Sequence, residues 1–295
     1  MPCFSKKRSI FAVELIRKIR YVMQVIYKKL IHTSLLTIIL LLTACSGNKA
    51  AKMSNEIATD SVVLSVTEPF QKNAKLGDCS VKFNIQYLTK AHSKEVLAKI
   101  NQLILTKVIG MEYDSLSLKE AAKGFSQNFL KTYREDLKQL RRDSLLPEEG
   151  MNYSYQQTCH LTQQKNGILT FRSTVYQYLG GAHPNQTAQL FNIMAETGKL
   201  VTLSDVFKSG YEEELDGLLI DQLMADNQVQ SKEELMDLGY FVNTDIFPSA
   251  SFCVQDDKMI FLYNPYDIAP YALGSIEVAL KLSDVRELMR EDAPF

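Results

Sequence analysis

The sequence predicts an α+β fold: antiparallel β-hairpins and sheets packed with helices, in two α+β subdomains. Three observations carry this reading. Residues 79–88 (CSVKFNIQYL) alternate Val81, Phe83, Ile85 and Tyr87 with Ser80, Lys82, Asn84 and Gln86, the period of a half-buried strand. Residues 93–108 and 117–140 carry apolar stripes at helical spacing. Asn166-Gly167 stands between two alternating runs, a strong hairpin signal. Helices segregated from antiparallel hairpins define the α+β class.

In chain order, SVVLSVTEPF (61–70) and residues 79–88 read as the first two strands. Ser93 can cap a helix whose Val96, Ile100, Leu103, Ile104 and Val108 share one face. Ser117 with Glu120 three residues on has the capping-box spacing, and opens a helix with the stripe Leu118, Ala122, Phe125, Phe129, Tyr133, Leu137 and Leu140. Pro147 and Gly150 break that period. Strands follow at 153–163, 168–179 and 187–194, the last ending at the turn ETGK. Ser204 or Asp205 can cap a short helical turn, and a helix near 211–226 places Leu215, Leu218, Leu219 and Leu223 on one side. Ser231 with Glu234 opens another short helix. The end alternates again through SFCV, KMIFLYNPYDIAPYALG and SIEVAL, and a last helix is expected over 283–290.

The charge is unevenly placed. Residues 1–44 hold eight basic groups (Lys6, Lys7, Arg8, Arg17, Lys18, Arg20, Lys28, Lys29) against Glu14, a net +7 within a chain total of -1, so the rest carries about -8. Such an acidic body is poorly suited to nucleic acid, which needs basic patches on its phosphates. The basic start runs into LLTIILLLTAC (35–45), a secretory signal too short for a comfortable membrane span of about 20 residues. Leu42-Thr43-Ala44-Cys45 resembles a bacterial lipobox, which implies cleavage before Cys45 and its lipidation. Met23 is an alternative start, because residues 23–45 alone have the form of a signal. SGNKAAKMSNE (46–56) then reads as a polar tether. The expected location is the cell envelope, membrane-anchored through lipid and periplasm-facing. After processing, Cys79, Cys159 and Cys253 remain, as one disulfide with a leftover thiol or as three buried thiols.

YLGGAHPNQT (178–187) joins two strand-like runs. Gly180 and Gly181 permit positive φ and Pro184 drives His183 toward extended geometry, so every unusual residue except the histidine has a turn-making reason. His183 has the chemistry of a general base or metal ligand. His92, His160 and His183 show no ligand spacing, and Cys159 and His160 fall on opposite strand faces. No metal or cofactor is expected, and the turn reading of this loop prevails. NPYDIAPY (264–271) sets Tyr266, Asp267 and Tyr271 among two prolines beside an apolar strand, a rigid aromatic loop suited to protein or sugar recognition, or simply a bend capping a sheet. Tyr176 and Tyr178 share a strand face, where they are expected to cover the core.

YLGGAHPN, FNIMAETGKLVTLSDVF and NPYDIAPYALGSIEVAL, in that order, resemble domain-of-unknown-function family 3298, the C-terminal domain of the lysozyme-sensing anti-sigma factor RsiV, also found beside peptidoglycan deacetylase domains. The likeness covers about residues 170–289. The preceding strand-helix-helix-strand block looks like the partner domain that commonly precedes it. The implied layout is a signal peptide at 1–44, lipidated cysteine and tether at 45–60, an N-terminal α+β domain at 61–162 and the RsiV-like domain at 163–295. Deacetylase metal motifs and a sigma-binding segment are not seen in the sequence, and no contact residue carries over. The resemblance implies an envelope-facing module, in one relative a receptor for lysozyme.

No Gly-x-Ser-x-Gly elbow, Walker loop or His-Glu-x-x-His pair occurs. The leading expectation is a non-catalytic binding module for an envelope protein or glycan, with a lysozyme-like protein or peptidoglycan fragment first, using Tyr266, Asp267, Tyr271 and His183. An enzyme acting on envelope glycan through two carboxylates is the second class, with Asp205, Asp267 and Glu277 as first suspects. A structural envelope protein is the third.

Overall fold

The computed structural model describes residues 57–69, 78–145, 151–242 and 244–295. Cys45, the signal and the tether lie outside them, as do Phe70, Pro147 and Gly150. The described residues belong to one compact unit, Ser54–Phe295.

Strand β1 (Ala58–Pro69) pairs antiparallel with β2 (Asp78–Lys90), and β2 runs parallel to β3 (Tyr153–Lys165). A parallel pair requires a crossover, supplied here by helices α1 (Lys94–Val108) and α2 (Leu118–Arg142). Then β3, β4 (Ile168–Leu179) and β5 (Asn185–Met194) meander, and the short β6 (Leu200–Val201) closes the order β1-β2-β3-β4-β5-β6. After α3 (Leu203–Val206), α4 (Glu212–Asn227) and α5 (Lys232–Asp237), strands β7 (Phe252–Gln255), β8 (Lys258–Tyr263) and β9 (Ile276–Lys281) form a second, antiparallel sheet, followed by α6 (Leu282–Val285).

Strand periodicity sorts these residues into layers. Val81, Phe83 and Ile85 of β2, with Leu169, Phe171, Phe191 and Ile193, face α1 and α2 and pack on Val96, Ile100, Ile104 and Ala122. Aromatic pairs tighten this layer: Phe83 meets Phe125 edge-on at 5.5 Å, and Phe125 meets Tyr155 at 4.5 Å. In the second sheet, Phe252, Met259, Phe261, Tyr263 and Val278 face the α4 stripe Leu215, Leu219 and Leu223. The alternate residues Cys253 and Leu262 face the large sheet at Leu190. The order of layers is therefore α1 and α2, six strands, three strands, α4.

The helix starts follow their caps. Ser93 accepts from the Val96 N–H, and Ser117 and Glu120 form the full reciprocal box. Three local expectations are corrected. Thr202, not Ser204 or Asp205, caps α3, with Asp205 as its box partner. The last helix stops at Val285, because Met289 leaves it to bridge Phe207 while the Arg290 N–H bonds the Val206 carbonyl. Tyr176 and Tyr178 do not cover the core: they stand half-buried on the face of β4 opposite the α1/α2 core, and the Tyr178 hydroxyl donates to the Gly181 carbonyl.

Cys79, Cys159 and Cys253 are buried free thiols. Strand register sets Cys79 opposite Tyr153 and Cys159 opposite Ile85, well apart along the sheet. Burial pushes Cys79 and Cys159 up to about 12 and Cys253 to about 11, so all three stay protonated and unreactive at neutral pH. Among the described residues no helix is long and apolar enough to cross a membrane.

The β3–β4 turn places Asn166 at φ 52° and Gly167 at φ 77°, both left-handed as a two-residue hairpin requires. A Cβ at Gly167 would meet nothing within 4 Å, so only the backbone would resist it. Gly167→Val is expected to lower the unfolding free energy by about 1–3 kcal/mol, read by urea unfolding. An unchanged midpoint would refute the requirement for glycine.

Candidate functional site

The two sheets meet along the outer edge of β5, and polar side chains make the joint. Asn192, fully buried, donates from Nδ2 to the Phe252 carbonyl at 2.8 Å while its Oδ1 accepts from the Thr170 hydroxyl. Ser251 Oγ accepts the Leu190 N–H at 2.8 Å. Asn264, which begins the loop after β8, takes both groups of Ala188: its Oδ1 accepts the N–H at 2.7 Å and its Nδ2 donates to the carbonyl at 3.0 Å. Those β5 groups have no strand beside them, since β6 covers only Asn192 and Ile193, so a side-chain amide completes an otherwise open edge.

Asn264 thereby docks the loop that carries the aromatic residues. Asp267 stiffens it: its Oδ2 accepts the Asn264 N–H at 2.7 Å, and its own N–H returns to the Asn264 carbonyl. The Tyr266 N–H bonds the Ala269 carbonyl, which holds Tyr266 at φ 75° with the residue 65% exposed. A bulky residue in the left-handed region is strained, and here the strain turns an aromatic ring into solvent.

The β4–β5 turn arrives from the other side. Gly180 at φ 72° approaches Met151, and Pro184 holds its carbonyl toward Tyr271. That carbonyl accepts the Tyr271 hydroxyl at 2.7 Å and His183 Nδ1–H at 2.9 Å. His183 and Tyr271 therefore stack, with ring centroids 4.0 Å apart and planes 24° apart. Tyr266 continues the series at 6.1 Å from Tyr271. Three of the four binding residues expected from sequence form one ladder of rings on two loops. The fourth, Asp267, serves as the brace of its own loop.

The three suspect carboxylates lie on separate elements, each with a partner. Asp205 bonds Lys199 at 2.5 Å and the Thr202 N–H and hydroxyl. Asp267 holds Asn264, and Glu277 on β9 pairs with Arg172 at 2.6 Å. Among the described residues no group of three or more His, Cys, Asp or Glu is placed to hold a metal ion. A groove of about 560 Å³ lies elsewhere, between β1 and α1. Two of its polar groups are engaged within the fold, Asn101 on the Leu88 backbone and Gln102 on the Asp114 carbonyl. Sequence reading missed Asn264 and Pro184, whose roles are backbone contacts between distant segments. Asn264 lay in view as the first residue of the loop motif.

Residues 204–283 match the family model described as protein of unknown function DUF3298, and residues 73–186 match the model described as deacetylase PdaC. A curated protein, peptidoglycan-N-acetylmuramic acid deacetylase PdaC of Bacillus subtilis (strain 168), is 21% identical over 173 residues, 58% of this chain and 36% of the relative, so the match spans about a third of that relative's length. The crystal structure of a DUF3298 family member from Bacteroides fragilis superposes with a TM-score of 0.75 at 25% identity, covering 81% of this chain and 95% of that one. A DUF3298 family protein from Pseudomonas aeruginosa shares the fold at a TM-score of 0.58 and 13% identity, covering 81% and 97%.

Asn264→Ala leaves two backbone groups of Ala188 without their partner. We expect a loss of about 1–3 kcal/mol and faster amide exchange at 185–190 and 264–271, against little change in α1. Equal exchange in both regions would refute the docking role. Burial alone would raise Asp205, but Lys199 and the Thr202 donors outweigh it and hold the carboxyl below its usual range. Its stabilisation is therefore present above the unfolded pKa of about 3.9 and is lost as pH falls through the lower folded value. Asp205→Asn should lower the melting temperature at pH 7 and flatten its fall on acidification. An acid limb as steep as the parent's would refute the assignment.

Proposed function

From a chain that carries a DUF3298 domain behind a PdaC-type domain, we propose a cell-envelope binding module whose recognition surface is the ring ladder of His183, Tyr271 and Tyr266. The observation that carries this reading is Tyr266, an aromatic residue 65% exposed at φ 75° that a braced loop presents rather than buries. Aromatic faces carry partial negative charge and attract polarised C–H groups, as on the apolar face of a pyranose ring. The rings are preorganised by the Pro184 carbonyl and the Asn264 clasp, which lowers the ordering cost of binding.

The curated relative is named for acting on the N-acetylmuramic acid of peptidoglycan, so an envelope glycan is the ligand class this reading puts first. A lysozyme-like protein is the other partner to test. The module would be tethered outside the inner membrane through lipid on Cys45. Neither nucleic acid nor a cofactor enters the proposal.

Calorimetry of the mature chain with muropeptides and with lysozyme tests this directly. Saturable muropeptide binding without glycan turnover is expected, weakened at least about tenfold by Tyr266→Ala or Tyr271→Ala, the scale of one binding anchor. Binding to lysozyme alone would make the module a protein receptor, and binding to neither would sink the proposal. Intact-mass analysis should find a mature protein beginning at an acylated Cys45, and Cys45→Ser should remain unprocessed. An unmodified N-terminus would remove the lipid anchor from the account.

A further inference from the structure

The six-stranded sheet has a second, outward face that the ring ladder does not use. Cross-strand hydrogen bonds define it: Ser80 Oγ meets Ser154 Oγ at 3.2 Å, Thr158 Oγ1 meets Thr174 Oγ1 at 2.6 Å, and Gln86 Nε2 donates to the Thr59 hydroxyl at 2.7 Å. Register then places every second residue of β1 to β4 on this side. Within residues 59–67, 80–86, 154–160 and 172–178, the outward positions are mostly Ser, Thr, Asn, Gln or Tyr, the exceptions being the exposed Val63 and the basic or imidazole side chains of Lys82, Arg172 and His160, while Asp78 lies at the rim of the same face. Within those ranges none is Asp or Glu, although the chain holds 34 acidic residues. Lys82 and His160 are exposed cations or potential cations there, and Arg172 is joined to Glu277 of β9 where the second sheet begins. Between those rims this polar face of an acidic body presents no carboxylate of its own strands.

We propose that this face is a track for a linear glycan of several sugar units carrying carboxylate substituents. It rests on the glycan reading of the ring ladder and extends it. Hydroxyls and amides suit a polyhydroxyl polymer, because each can donate and accept. Lys82, flanked across the strands by Ser65 and Gln156, suits anionic substituents. Continuity supplies the direction. Tyr176 and Tyr178 lie on the same strand that leads into the His183 turn, so a chain gripped at the ladder passes over β4 and onto β3 and β2. Adjacent strands stand about 4.8 Å apart, so β4 to β2 alone spans about 10 Å, more than one sugar ring.

The test uses the full chain in detergent micelles and peptidoglycan glycan strands of defined length, from disaccharide upward, with lysozyme as the protein control. Affinity should rise at least tenfold from disaccharide to hexasaccharide. Gln156→Glu and Asn84→Glu, exposed positions without a structural role, should abolish that increment and leave disaccharide affinity unchanged. Tyr266→Ala should weaken glycans of every length. Equal affinity at all lengths, with Tyr266→Ala still disruptive, overturns the track and leaves the ladder. A length increment lost in Gln156→Glu but untouched by Tyr266→Ala overturns the ladder and leaves the track. Binding of lysozyme alone overturns both.

Discussion

The candidate site depends on how the open edge of β5 is closed. An unpaired strand edge exposes backbone donors and acceptors that must bond to something, and here the partners are Ser251 and Asn264 rather than another strand. A side-chain amide can copy a strand's pattern at one residue without continuing it. The second sheet can therefore stack on the first instead of extending it. That stacking brings the loop after β8 beside the turn between β4 and β5, and the ring ladder exists only where those two loops meet.

The same joint divides the large sheet into two environments. Toward α1 and α2 the inward positions are mostly apolar, interrupted by the buried Gln157, whose amide bonds Tyr155 and Ser173. On the other side, the second sheet covers β5 and the start of β4, through Cys253 and Leu262 on Leu190 and the cluster that includes Ile168. The rest of that face has no apolar requirement, which leaves Ser, Thr, Asn and Gln free to occupy it. Ion pairs such as Arg172 with Glu277 mark the boundary, and being half-exposed they add little stability, about 1 kcal/mol or less.

Among the described residues two aromatic residues stand at positive φ, one buried and one exposed: Phe241 at 57° lies in the core, and Tyr266 at 75° faces solvent. Tyr266 is an aromatic residue at positive φ, held by the Ala269 carbonyl and by a loop that Asp267 braces. The buried thiols behave oppositely: burial keeps them neutral and quiet, as packing elements of the sheets. His183 likewise works as a ring in a stack whose position is set by one carbonyl, in keeping with the turn reading of its loop.

By itself the sequence determined the local elements. Alternation placed β2, the Asn-Gly pair placed the β3–β4 hairpin, and Ser93 and Ser117 placed the helix starts, because each signal acts within a few residues of itself. The motifs of residues 178–187 and 264–271 also marked the candidate site. Tertiary structure decided what those motifs do together. Asn264 reaches Ala188, and Tyr271 reaches Pro184, across 76 and 87 residues of chain, separations that no local pattern encodes. It also decided that the last helix ends early at Val285 and that Tyr176 and Tyr178 stand on an open face. In each case the partner that sets the outcome, Phe207 for Met289 and the limited reach of the second sheet for the tyrosines, is distant in sequence and adjacent only once the two sheets are joined.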